Sequence, residues 1–349
     1  MNQAYLRKLI AYWQERYDWR AQESMLNRFH HFRGRVDGTA IHLIHEKGRG
    51  PAPLPLILTH GYPDSFFRFS KLLPLLIDPA AHGGDAADAF DVVVPSLPGY
   101  GFSEARERAG GLFGFGELWH ELMTEELGYS RFGVHGGDWG STVSEHLARS
   151  HASSVIGLHL TDVPFWHSFQ KPGDLSASEQ KYLAHIEQWQ KESGAYAMIQ
   201  GSVPRTAAIG LNDSPAGLAA WIVEKFHAWS DCGDDIEKSF SKDDLLTNVM
   251  IYWTTETIAS SFQPYSDVMS AGAMRWLEEA VKKWVGSSVT PTGFAMFPRD
   301  ISHPPREWAE RFFNVALWTE MPSGGHFAAL ERPELLAEHI RTFFRPLRH

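Results

Sequence analysis

Apolar residues along this chain fall into two rhythms, and the switches between them outline its architecture. TAIHLIHEK (39–47) alternates apolar and polar positions as a strand does. PLPLILTHG (53–61) is a short apolar run closed by glycine, and FDVVVPSLPGYG (90–101) is a β-branched run ending in proline and glycine. FGELWHELMTEELG (115–128) and DWGSTVSEHLARSH (138–151), with apolar residues at helical intervals, flank the short run RFGVHGG (131–137), and VIGLHLTD (155–162) follows. Strands alternating with helices predict an α/β fold with a mostly parallel central sheet covered on both faces.

The alternation stops near Val163. From 163 to 289 the pattern is helical and rich in tryptophan, clearest in GLAAWIVEKFHAW (217–229) and DDLLTNVMIYWTTETIASSF (243–262). The sheet pattern resumes at TPTGFAMFP (290–298) and FNVALWTEM (313–321), and ELLAEHIRTFF (334–344) closes as a helix. A helical insertion at this point lies over the strand ends, where ligands bind, and is expected to form a lid. The expected division is an N-terminal segment, 1–50, packing on the core; a core in two parts, 51–162 and 290–349; and a lid, 163–289. At the N-terminus Tyr5, Leu6, Leu9, Ile10 and Trp13 recur at helical spacing amid charged residues. That stripe suits a helix packed on its own protein better than one lying on a membrane, and it is neither a secretory signal nor a spanning helix.

Composition narrows the partners. A formal charge of −10, with no block of Lys or Arg, argues against nucleic acid. The single cysteine, Cys232, excludes an internal disulfide and makes a thiolate metal site implausible, so the chain reads as cytoplasmic and soluble. Asp234, Asp235 and Glu237 read as a solvated loop, and His30-His31 lacks convergent ligands, so no metal is expected. A homodimer is the candidate assembly, which the sequence by itself does not fix.

Gly136-Gly137-Asp138-Trp139-Gly140 fits G-x-nucleophile-x-G, a sharp strand-to-helix turn whose glycines make room for a strained, projecting side chain. The plainer account of Asp138 is a helix N-cap. His60-Gly61-Tyr62-Pro63 follows a predicted strand, where a loop N–H can join the N–H after the nucleophile in an oxyanion hole. His326, in Gly324-Gly325-His326-Phe327, comes after a strand and before the last helix, where such a sheet places its base. For the acid, Asp300 in FPRD (297–300) leads and Asp162 is the runner-up; either could be a turn residue.

HGYP, PSLPGYGFSE (95–104), GGDWGS and GGHFAALERPE (324–334) resemble the epoxide hydrolases of the α/β-hydrolase fold, in particular the microsomal and juvenile-hormone type. The lid stretches SGAYAMIQ (193–200), GLNDSPAGLAAWIVEKF (210–226) and LLTNVMIYWTTETIASS (245–261), and the N-terminal LRKLIAYWQERYDW (6–19), are similar to the same group, so the resemblance spans nearly the whole chain. It departs at the start, where members of this type carry more residues, a membrane anchor among them; none is expected here. The resemblance implies an α/β-hydrolase fold with a helical lid and an N-terminal helical and meander segment. It also implies two lid tyrosines that polarise the epoxide oxygen, and by their flanks these are Tyr196 and Tyr265; FQP before Tyr265 departs from the usual pattern.

An aspartate suits an epoxide. An ionised carboxylate can displace oxygen from a saturated carbon without a base, and the resulting ester can then be hydrolysed by water that His326 activates while Asp300 orients the ring. The oxyanion-hole donors would be the backbone N–H groups of Tyr62 and Trp139, with Trp139 also contacting substrate. The expected partners are a small apolar or aromatic epoxide and water, with no cofactor. The rivals are a haloalkane dehalogenase, whose halide needs N–H donors and no proton, and a non-catalytic receptor on the same fold.

Overall fold

The computed structural model describes every residue except 107–110, 171, 271, 273–274, 276–278, 280–287 and 349. Part of the expected lid, at 271, 273–274, 276–278 and 280–287, therefore lies outside the described residues. Eight strands form one sheet: β1 (His31–Val36), β2 (Thr39–Glu46), β3 (Leu54–Thr59), β4 (Phe90–Pro95), β5 (Phe132–Gly136), β6 (Val155–Leu160), β7 (Pro291–Met296) and β8 (Asn314–Glu320). Their order is β1-β2-β4-β3-β5-β6-β7-β8. From β4 to β8 all neighbours run parallel, whereas β1 pairs antiparallel with β2, and β2 with β4.

The inner strands are apolar on both faces because both are covered: Leu56, Ile57 and Leu58 of β3, Val92, Val93 and Val94 of β4, and Phe132 and Val134 of β5 are wholly buried. β1, HFRGRV, carries no apolar strand pattern, because it is polar and lies at the edge with several residues exposed. Its signal was the turn that follows: Asp37 and Gly38 both take positive φ, 42° and 76°, and make the two-residue connection of a hairpin to β2.

The helices used below are α1 (Gln3–Glu15), α2 (Trp19–Leu26), α3 (Leu73–Ile77), α4 (Phe115–Glu121), α5 (Trp139–Ser150), α6 (Ala177–Ser193), α7 (Ala195–Ser202), α8 (Pro204–Asp213), α9 (Pro215–Ala228), α10 (Lys242–Thr255), α11 (Ile258–Ser261) and α12 (Gln263–Val268). α5 lies against β3, β5 and β6 with α4 beside it, and the C-terminal helix Pro333–Phe344 packs on β6, β7 and α3. α6 to α12 fall between β6 and β7, the position expected of an inserted lid, and α7 packs along α12.

The N-terminal segment, expected to pack on the core, makes contacts of two kinds. Its strands join the sheet, while α1 and α2 lie on α9 and α10 of the insertion. Leu9 is wholly buried there, the Tyr12 hydroxyl donates to Asp243 Oδ1 at 2.8 Å, and the Tyr17 hydroxyl meets Thr247 Oγ1 at 3.1 Å. The apolar stripe read at positions 5–13 thus faces the insertion. Among the described residues no helix is long and apolar enough to cross a membrane.

Where the chain leaves β6, a buried ionic cluster ties the first turn of the insertion, Phe165–Phe169, to α5. Glu145 accepts from Arg149 Nε at 2.8 Å, Trp166 Nε1 at 3.0 Å and His167 Nε2 at 3.0 Å. Burial alone would raise the Glu145 pKa, but the His167 and Arg149 contacts outweigh it and hold the carboxyl below its usual range. Removing one member of a buried ionic cluster leaves uncompensated charge, so Glu145→Ala is expected to lose about 3–5 kcal/mol of stability. Urea unfolding monitored by tryptophan fluorescence measures this; a loss below about 1 kcal/mol would show that the cluster does not hold the insertion to α5.

Candidate active site

β5 ends at Gly136 and α5 begins at Trp139, so the chain reverses within two residues. Asp138 sits between them at φ 57°, ψ −129°, a conformation that costs a non-glycine residue roughly 1–3 kcal/mol. Two glycines let the neighbouring backbone close around it. A Cβ on Gly140 would lie 2.1 Å from the Thr59 carbonyl oxygen, and one on Gly61 would lie 2.3 Å from Asp138 Oδ1. The N-cap account of Asp138 does not hold, because its side chain makes no capping bond to α5. The carboxylate instead accepts the backbone N–H of Tyr62, at 2.8 Å to Oδ1, and the Trp139 N–H also favours its charge.

The remaining candidates arrive from distant parts of the chain. His326 lies in the glycine loop after β8, its N–H donating to Trp229 O at 2.8 Å and its own carbonyl accepting from Arg68 Nη2 at 2.5 Å. With the backbone gripped on both sides, the ring points into the site. Nδ1 donates to Asp300 Oδ1 at 2.7 Å, and Nε2 stands 3.4 Å from Asp138 Oδ2 with no hydrogen-bond partner among the described residues. Asp300, in the turn after β7, also accepts the Ile301 N–H at 2.6 Å. Of the two acids, it is Asp300 that pairs with the imidazole; Asp162 accepts from the backbone of Asp138 instead.

The charges follow from these contacts. Burial would raise the Asp138 pKa, yet His326 and the two backbone N–H groups hold it below the usual carboxylate range, so it is ionised at neutral pH. For His326, burial favours the neutral ring, but Asp300 and Asp138 together overcome this and raise its pKa to about 10.

α7 and α12 bring Tyr196 and Tyr265 together over this pair, with ring centroids 5.9 Å apart. Tyr265 meets Trp139 edge to face at 4.8 Å, and Tyr196 stacks on Tyr62 at 6.3 Å. Burial chiefly, reinforced by Asp138, raises both phenol pKa values, so both keep their protons at neutral pH. Asp138, Asp300, His326, Tyr196 and Tyr265 line one cavity of about 440 Å³, whose other walls are largely apolar, Val163, Phe165, Trp166 and Trp189 among them. Trp139 contributes to the wall.

Arg68 and Asp64 were missed in the sequence. Both are buried, and Arg68 Nη1 donates to Asp64 Oδ2 at 2.5 Å while Asp64 Oδ1 accepts the Gly61 N–H at 3.1 Å, so the pair fastens the HGYP loop to the histidine loop. A lone arginine within the aromatic run SFFRFS was the available signal, since a cation in an apolar run needs a buried partner. The groups set aside lie elsewhere: Asp235 caps a turn at Glu237, Glu237 pairs with Lys242, and His30 pairs with Glu46.

An aspartate on the strand-to-helix elbow of a parallel sheet, facing a histidine after the last strand beneath an inserted helical layer, defines the α/β-hydrolase class. Residues 55–192 match the family described as alpha/beta hydrolase fold, and residues 1–69 the one described as epoxide hydrolase N terminus. Epoxide hydrolase 1 of Sus scrofa is 39% identical over 369 aligned residues, covering 98% of this chain and 80% of that protein. Among solved structures, juvenile hormone epoxide hydrolase from Bombyx mori aligns with TM-score 0.86 at 27% identity, covering 100% of this chain and 86% of that one. Aspergillus niger epoxide hydrolase aligns with TM-score 0.84 at 29% identity, covering 99% and 86%. The chain belongs to the epoxide hydrolase family.

The raised His326 pKa has a consequence for titration. Its proton is held by two carboxylates, so Asp138→Asn is expected to lower that pKa by at least about one unit. The stability linked to this proton is complete below the ordinary value of 6.5 and is lost as pH rises through about 10. NMR titration of the imidazole in both proteins measures the shift; an unchanged His326 pKa in Asp138→Asn would exclude the coupling.

Proposed function

We propose that this protein hydrolyses apolar epoxides to vicinal diols through a covalent ester on Asp138. The observation that carries this reading is an ionised carboxylate facing a histidine Nε2 at 3.4 Å in one cavity with two protonated phenols. Asp138 attacks a ring carbon from one side while Tyr196 and Tyr265 hydrogen-bond the epoxide oxygen. As the C–O bond breaks, one phenol gives up its proton, and the product is an ester bearing a hydroxyl.

Esterification removes the negative charge of Asp138, which loosens the proton on His326. That proton restores the phenol and leaves the imidazole neutral, with Asp300 holding its tautomer. Neutral His326 takes a proton from water as the oxygen attacks the ester carbonyl. The oxyanion sits where the Tyr62 and Trp139 N–H groups now bind the carboxylate. Collapse releases the diol, which takes the proton from His326, and the carboxylic acid left on Asp138 returns the imidazole to its charged state. Atoms and protons balance over the cycle.

Asp138→Ala is expected to show no turnover, whereas His326→Gln should complete ring opening and stop, its intact mass raised by one substrate. In single-turnover reactions in ¹⁸O water the label should enter the enzyme carboxylate before the diol; label passing directly into the diol would refute the ester. Release of halide from a haloalkane in place of diol formation would favour a dehalogenase, and ligand binding with neither reaction a receptor.

Each tyrosine removed singly, as Tyr196→Phe or Tyr265→Phe, should slow ring opening by roughly 10²-fold, because the remaining phenol still polarises the oxygen. The double variant should fall further, and a double variant with wild-type single-turnover rates would remove both from the mechanism.

A further inference from the structure

Asp162 has no part in the scheme above, yet it makes two contacts to the elbow. Oδ1 accepts the Asp138 N–H at 3.0 Å, and Oδ2 lies 2.9 Å from Ser141 Oγ. The same Ser141 Oγ lies 2.7 Å from the Asp138 carbonyl oxygen. The serine hydroxyl has one hydrogen and faces two acceptors, so a proton on the far side would turn a shared hydrogen bond into two full ones. A carbonyl cannot carry one; a carboxyl can. The surroundings favour this. Asp138 and Ser141 face Asp162 from the elbow and α5, Asp300 from the turn after β7 and His326 from the last loop. Arg68 lies beside Gly137, and the Tyr182 phenol of α6 also feels the charge of Asp162. Three carboxyls share one imidazolium, which disfavours a third negative charge. Burial first, and Asp300 next, push the Asp162 pKa up to about 7.

We propose that Asp162 is a positioning residue acting as a neutral carboxylic acid, closing a hydrogen-bonded ring around the backbone of residue 138. The Asp138 N–H enters Oδ1, Oδ2–H donates to Ser141 Oγ, and the Ser141 hydroxyl donates to the Asp138 carbonyl. The ring holds the strained elbow so that the carboxylate meets the substrate in line. It rests on the ester mechanism and adds a cause for its pH dependence: ionised Asp162 cannot donate to Ser141, so ring opening weakens as pH rises past neutrality.

The test is rapid-quench measurement of ester formation with excess enzyme across neutrality, in the wild type, Asp162→Asn and Asp162→Ala, using styrene oxide as probe. Asparagine mimics the neutral acid. Its variant should form ester within about threefold of the neutral-pH wild-type rate and keep that rate at alkaline pH, where the wild type declines. Asp162→Ala should form ester roughly 10–100-fold more slowly with substrate affinity unchanged, the scale of a small misplacement of a reacting group. If Asp162→Ala does not fold, the pH profile of Asp162→Asn decides alone. Equal damage in both variants, an alkaline decline that persists in Asp162→Asn, or an ester that forms normally and then accumulates would overturn the proposal. A wild type that yields diol with no ester at any pH would overturn the parent mechanism, and this one with it.

Discussion

Everything in the site is arranged around the backbone of one residue. Asp138 is held at a positive φ that an L-residue rarely adopts, and the elements around it supply the energy. The support comes from β3 and β5 pairing in parallel on one side, the first turn of α5 on the other, and glycines that let Thr59 and Gly61 approach closely. With the turn closed in this way, the carboxylate faces the Tyr62 and Trp139 N–H groups and leaves its second oxygen toward His326. A straighter passage from strand to helix would have made the same aspartate a cap.

Electrostatics divides the labour among chemically similar groups. Asp138, Asp300 and Asp162 lie within one cavity wall, yet their partners differ: backbone N–H groups and the imidazole for the first, the imidazole for the second, and the elbow's own peptide and a serine for the third. The same low-dielectric surroundings that keep Asp138 charged by concentrated hydrogen bonding keep Tyr196 and Tyr265 protonated, because a phenolate there has no comparable partner. The insertion therefore supplies proton donors above a sheet that supplies the anion. Arg68 ties the HGYP loop to the histidine loop, so the spacing of these two core loops is set by a buried cation.

Legibility followed periodicity. β3 to β8 and α5 were visible because buried parallel strands are short apolar runs and amphipathic helices repeat at 3.6 residues. β1 was not, because an edge strand can be as polar as a loop, although Asp37-Gly38 marked its hairpin. The apolar stripe of α1 was visible, but not the surface it would meet, which is formed by α9 and α10. Similarly, both Asp162 and Asp300 stood at strand ends with the right order for an acid, and order could not choose between them.

The sequence by itself determined what depends on local composition: the alternation of strands and helices, the place of the insertion, the glycine-flanked aspartate, and the chemical types gathered at strand ends. These are legible because backbone propensity and burial period act within a few residues. The tertiary structure alone decided which carboxyl reaches the imidazole, which pKa values move, and that a buried Arg68 and Asp64 bridge two loops 258 residues apart at their hydrogen bond. Those outcomes depend on distances and desolvation between segments far apart in the chain, and no pattern along the sequence encodes an ångström-scale separation across a sheet.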